Sequence, residues 1–310
     1  MTAPQLSIAL RTYAADDPGT WQPVLDHARA ADEAGIDRVL VSDHVVLGEH
    51  MEAYGRPESG GVTGGRQPTG PDGHWLEPMT LLSVVCGITS RVRLGTNILI
   101  ATLRRPVVLA KSAATLDVLS GGRLDLGVGI GWQREEYEAA GLAFGARGRQ
   151  LDLTLEVCQT LWREQRARVD LPGLSFDSIH MMPKPRQPGG VPIWVSGRVN
   201  ERVARRLARF GSGWIPWGED ADDLTGSIPR MRDAVAAAGG DGEGIQVAGM
   251  LPIVRREDRS IDLDATMQRV APLVDAGVTD FRAHLSLPGT YDAAVDFLRG
   301  IAGAFREATA

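Results

Sequence analysis

The chain has 310 residues, a formal net charge of -6 at pH 7, 43% hydrophobic residues and two cysteines. That length leaves room for a large core in a single domain over residues 1–310. The acidic balance argues against general nucleic-acid binding. No apolar run is long enough to cross a bilayer and the start, Met1 to Gln5, carries no basic leader, so a cytoplasmic protein with no membrane partner is expected.

Period and punctuation give a strand at Leu6 to Arg11, a helix near Thr20 to Ala34 closed by Gly35, and a strand at Arg38 to Asp43. A Gly/Pro-rich stretch, Gly48 to His74, follows. Next come a helix near Pro78 to Thr89, a strand Val92 to Ile98, a helix opened by Pro106 and ending before Gly121-Gly122, and a glycine-bearing fourth strand. Helical patterns at Arg134 to Ala140 and Gly148 to Glu164 lead to a second interruption, Gln165 to Gly190. The alternation then resumes with strands Ile193 to Ser196, Gly213 to Pro216, Ile245 to Leu251 and Thr279 to Leu285. The helices that follow them are Asn200 to Phe210, Leu224 to Ala238, Leu263 to Ala276 and Tyr291 to Phe305. Eight alternating units predict an α/β fold, a (β/α)8 TIM barrel with insertions after strand 2 and before strand 5; an open doubly wound sheet is the runner-up. Loops after barrel strands lie on the catalytic face, which makes Gly48 to His74 either a lid or a disordered excursion.

Gly127, Gly129 and Gly131 recur at strand period, leaving one face without side chains: a seat for a flat ligand, or relief of crowding inside a tight barrel. Ser42-Asp43-His44 ends the second strand, where His44 can move protons and Asp43 can bond a ring system, or where the pair merely caps a turn. The third strand ends Thr96-Asn97-Ile98, with Asn97 a rim group or a loop tie. Ser196-Gly197-Arg198, before a helix capped by Asn200, offers free backbone N–H groups and a guanidinium suited to phosphate. Cys86 and Cys158 lack CxxC spacing and no Asp/His set has metal spacing, so no metal is expected.

Together Ser42-Asp43-His44, Leu94 to Ile98, Gly121 to Trp132, Pro183-Lys184-Pro185 with Pro192-Ile193-Trp194, and Ser212 to Pro216 resemble the luciferase-like monooxygenase superfamily, more narrowly its branch using the 8-hydroxy-5-deazaflavin coenzyme F-420. The resemblance implies a barrel holding the deazaflavin across its C-terminal mouth. His44 is then the catalytic proton-transfer group. Asp43, Thr96, Asn97, Ile98, Ile130, Gly131, Ser196, Gly197 and Arg198 hold the cofactor, with a non-prolyl cis peptide at Asn97-Ile98 backing the ring. Trp132, Trp214 and the Gly48 to His74 loop would shape the substrate pocket, with Arg11 or Tyr13 reaching it from the end of strand one. The sugar-phosphate dehydrogenases of the branch carry an acid after the glycine strand and a tryptophan soon after Asp-His; Trp132 and Gly48 stand there, which disfavours glucose 6-phosphate.

The expected function is hydride transfer between deazaflavin C5 and a small-molecule substrate. The alternatives are a monooxygenase using reduced FMN and O₂, and a flavin-binding protein without turnover. A homodimer through helices near residues 76 to 120 is implied by the resemblance.

Overall fold

The computed structural model describes residues 3–310. Eight parallel strands close a barrel: β1 (Gln5–Ala9), β2 (Arg38–Val41), β3 (Arg93–Thr96), β4 (Leu124–Val128), β5 (Ile193–Gly197), β6 (Gly213–Pro216), β7 (Gln246–Met250) and β8 (Asp280–Ala283). Closure comes from β1 pairing on both edges, Gln5 opposite Asp280 and Ser7 opposite Arg38, which excludes the open sheet. Parallel neighbours need crossovers, and helices supply them, among them Gln22–Ala34, Pro78–Ile88, Pro106–Leu119, Arg147–Arg163 and Tyr291–Ala308. Among the described residues, no helix is long and apolar enough to cross a membrane.

Three expectations change. The helix expected over Leu263 to Ala276 is two, Leu263–Met267 and Val270–Ala276. Pro272 has no N–H to offer the carbonyl of Gln268, so the ladder is interrupted between them. The interruption before β5 contains an antiparallel hairpin, Ala167–Leu171 with Leu174–Ile179, which was not anticipated. It joins a helix to the start of β5 and therefore lies on the face opposite the mouth. The Gly48 to His74 excursion is ordered, with 3-10 turns at Met51–Gly55 and Pro57–Ser59, and His74–Trp75 paired to Tyr13–Ala14.

Strand alternation divides the core. Residues such as Val39, Val41, Leu126 and Val128 pack outward under the helices. Inside the barrel, Trp194, Ile215 and Ala248 form a separate cluster that supports Ile98. Arg38 and Arg282 each lie 5.2 Å from the Trp194 ring. Arg38 bonds Asp125 at 2.9 Å and Asp280 at 2.8 Å; Arg282 bonds Asp280 at 2.8 Å. All four charged side chains are buried, so each charge is compensated by partners within the barrel.

The glycine strand also differs from the expectation. β4 ends at Val128, and its bare face is covered by β3. A Cβ on Gly127 would stand 2.0 Å from the Thr96 carbonyl oxygen, and one on Gly129 would stand 2.8 Å from Ile98 Cδ1. The glycines therefore admit the neighbouring strand, the crowding reading, and do not themselves bare a ligand seat.

Candidate active site

The C-terminal rim collects residues that follow several strands. Tyr13 stacks on Trp75 at 4.5 Å; His44 meets the edges of Trp75 at 4.8 Å and Trp132 at 5.9 Å; Tyr54 meets Trp132 at 5.4 Å and Trp217 at 6.4 Å. This is a continuous wall of rings around one histidine. The excursion after β2 forms its roof, where the Trp217 indole N–H donates to the Gly60 carbonyl at 3.1 Å. Gln133 is fully buried and clasps Gly48 with both halves of its amide, at 3.0 and 3.1 Å. A side chain at position 48 would meet Glu135 Cβ at 2.5 Å, so this arrangement has no room for a tryptophan there.

His44 Nδ1 lies 3.2 Å from Glu136 Oε2, and Glu136 Oε1 accepts the Val45 N–H at 2.6 Å. The Asn97–Ile98 peptide is cis, as the resemblance implies. Its side chains point apart in function: Asn97 Oδ1 accepts from Arg282 at 2.7 Å, while Ile98 rests on the Trp194 cluster. Ile130 presents its carbonyl to the Tyr137 hydroxyl at 2.6 Å. Gly131, at φ 64, lies beneath the Gly60 turn, whose own Cβ would come 3.1 Å from the Gly131 carbonyl oxygen. Burial pushes the Tyr137 hydroxyl up to about 12, and burial followed by Tyr13 raises that of Tyr54.

Several candidates have other employment. Asp43 is not free to bond a ring: it pairs with Arg104 through both oxygens and accepts the Ile100 N–H at 2.8 Å, fixing the backbone after the cis bond. Burial raises its carboxyl above the ordinary value, and Arg104 only partly offsets this. Thr96 is buried in the barrel wall and donates to the Gly127 carbonyl at 2.7 Å. Trp214 points outward into the helical layer, fully buried, with its N–H on the Gly197 carbonyl at 2.8 Å. Trp217, three residues on, has the inward parity that Trp214 lacks. Arg11 is exposed, 6.0 Å from the Tyr13 ring.

Ser196, Gly197 and Arg198 end β5, and Arg198 borders a cavity of about 510 Å³ also lined by Val199, Asn200, Glu219, Asp220, Asp223 and Arg230. Three of the N–H groups of this turn and helix start, those of Val199, Arg202 and Val203, already have protein acceptors. Asn200 caps Arg202 and Val203 itself, Asp220 accepts Val199 N–H at 2.7 Å, and Glu219 holds Arg198 at 2.6 Å. Carboxylates thus occupy donors that would suit a phosphate.

The Gly48 to His74 loop, expected to shape the pocket, supplies Tyr54, which was not singled out; sequence reasoning missed Glu136, Trp75, Trp217 and Arg104. The parity of β6 was available for Trp217; the others meet the site only through folding over long separations.

A family model described as "Luciferase-like monooxygenase" matches residues 5–270. A protein of unassigned function from Mycobacterium tuberculosis is 31% identical over 256 residues, covering 82% of this chain and 83% of that protein. An F-420-dependent glucose-6-phosphate dehydrogenase of Kineococcus radiotolerans is 31% identical over 220 residues, 69% of this chain and 58% of that protein. Among solved structures, an F-420-dependent secondary alcohol dehydrogenase in complex with an F-420–acetone adduct has a TM-score of 0.75 at 16% identity, covering 98% of this chain and 100% of that one. An FMN-bound type II Baeyer–Villiger monooxygenase component from Pseudomonas putida has a TM-score of 0.71 at 14% identity, covering 99% and 98%. At these identities the structures establish the shared fold.

Proposed function

The chain belongs to the luciferase-like monooxygenase family, and on that premise we propose that it is a coenzyme F-420-dependent oxidoreductase that transfers a hydride between the deazaflavin and a small organic substrate. The observation that carries this reading is the meeting at one rim of a floor formed by cis Asn97–Ile98 and a histidine backed by a buried carboxylate, enclosed by aromatic rings. The similarity to a relative described as an F-420-dependent dehydrogenase supports deazaflavin as the cofactor.

The residues fit the ring end of such a cofactor. Trp132 Nε1 is buried without a partner and Ile98 has support beneath it. When bound, the cofactor supplies a carbon that accepts or releases hydride. The chain does the rest: Ile98, Ile130 and Gly131 orient the ring, Ser196, Gly197 and Arg198 face the phosphate end, and Tyr13, Tyr54, Trp75, Trp132 and Trp217 enclose the substrate. His44 Nε2 has no protein partner among the described residues and is the atom that takes up or returns the proton accompanying hydride movement. Glucose 6-phosphate is not the proposed substrate, because Trp132 and the clasped Gly48 replace the groups expected for it.

His44→Ala should lower turnover by about 10²- to 10⁴-fold while cofactor affinity changes little. An unchanged rate would remove His44 from the mechanism. The chain is also proposed to pair with a second copy: Val84, Ile88, Val107, Val108, Val118 and Leu119 are exposed on helices Pro78–Ile88 and Pro106–Leu119.

A further inference from the structure

We propose that Glu136 is the positioning residue for His44, holding the imidazole in the tautomer with hydrogen on Nδ1 and a bare Nε2 toward the mouth. The use made of that nitrogen rests on the function proposed above; the geometry does not. Glu136 is 1% exposed, in the first turn of the helix Arg134–Ala139, and 92 residues from its partner in sequence. Among the described residues its one ion-pair partner is His44, in contrast to Asp43, whose charge Arg104 compensates.

The donor and acceptor roles follow from chemistry. Val45 N–H can only donate, so Oε1 accepts. An ionised carboxylate can only accept, so Nδ1 at 3.2 Å from Oε2 carries the hydrogen and the lone pair is on Nε2. The edges of Trp75 and Trp132 fix the ring plane, with interplanar angles of 84° and 80°. When Nε2 takes a proton, the carboxylate behind it compensates the new charge. A carboxylate acting through a histidine in this way orients the base and remains ionised.

Glu136→Gln makes the roles separable. Its carboxamide oxygen can still accept from Val45 N–H, which leaves only the NH₂ to face Nδ1. The reverse orientation would set NH₂ against N–H. The imidazole is therefore driven to the other tautomer, with hydrogen on Nε2 and no acceptor at the mouth. By comparison with the aspartate-to-asparagine change in a serine-protease triad, turnover should fall by about 10²- to 10⁴-fold. In a His44→Ala background the same substitution should cost nothing further, because Glu136 acts through His44.

The experiment is ¹⁵N NMR of the histidine side chains in the cofactor-free protein, above the imidazole titration range, with turnover of the four variants of the cycle. The expected spectra show His44 protonated at Nδ1 in the parent and at Nε2 in Glu136→Gln, alongside non-additive rate losses. A parent His44 protonated at Nε2, an unmoved tautomer in Glu136→Gln, or an equal rate loss with and without His44 would overturn the proposal. Failure of the protein to bind either cofactor would sink the proposed function instead, and the NMR comparison would still decide the role of Glu136.

Discussion

Removing a carboxylate should tighten binding of a phosphate-bearing cofactor. Arg198 is the exposed cation at the end of β5, and Glu219 holds it at 2.6 Å, with the two side chains 45% and 80% exposed. An ion pair at that exposure contributes at most about 1 kcal/mol, and an incoming phosphate must displace it. Glu219→Ala releases Arg198 and removes a negative charge from the cavity wall. Since about 1.4 kcal/mol is tenfold in affinity, the dissociation constant for coenzyme F-420 or FMN should fall about two- to fivefold. The phosphate-free chromophores, deazariboflavin and riboflavin, should be unaffected. The gain should shrink as added salt shortens the screening length. Fluorescence-quenching titrations of parent and variant, with each cofactor and its phosphate-free counterpart at low and high salt, measure all of this. Equal or weaker binding of the phosphate-bearing ligands, or an equal gain for their phosphate-free counterparts, would refute the assignment of Arg198 to the phosphate end.

Other expectations concern the frame. Gly127→Ala places a Cβ 2.0 Å from the Thr96 carbonyl oxygen and 3.1 Å from Ile215 Cδ1, so it should destabilise the fold by about 3 kcal/mol or more in urea titration. Gly300→Ala, inside the helix Tyr291–Ala308 with nothing within 4 Å of the new atom, should stabilise by about 0.5–1 kcal/mol; the same sign for both would contradict the packing described. Burial alone would raise the Asp32 carboxyl, but the N–H groups of Val92, Ser90 and Arg91 outweigh it and hold the carboxyl below its ordinary range. A lowered folded value stabilises above the unfolded value, about 3.9, and that stability is lost as pH falls through the folded one. Asp32→Asn should therefore cost about 0.5–1 kcal/mol near neutral pH, since Asp32 is only partly buried and solvent screens its charge, and the difference should close as pH falls through the folded value; a constant difference would be inconsistent with a charge-dependent role.

The alternation of periods made the eight β/α units legible, because the barrel strands are short, largely buried apolar runs and the longer helices between them bury one side. The rim motifs were legible too, since His44 and Asn97 interrupt apolar strands at their ends. Partners that the chain brings together over long distances were not. Glu136 reads as one more acid in an acidic first turn until the fold delivers it to His44. Gly127 in β4 and Gly129 just beyond it signalled a close approach without saying whose, and Thr96 of β3 and Ile98 after it, rather than a ligand, make it. The hairpin before β5 was overlooked although its exposure alternates residue by residue from Leu174 to Ile179, the period-two signal a proline-rich flank obscured. The Ser212 to Pro216 motif points to Trp214, whereas strand parity favours Trp217.

The cofactor assignment is the central claim, and titration of the purified protein with oxidised coenzyme F-420 beside FMN tests it most directly, following fluorescence quenching at fixed ionic strength. The account predicts saturable binding of the deazaflavin with distinctly weaker binding of FMN. Tighter binding of FMN, or saturation by neither, would contradict it.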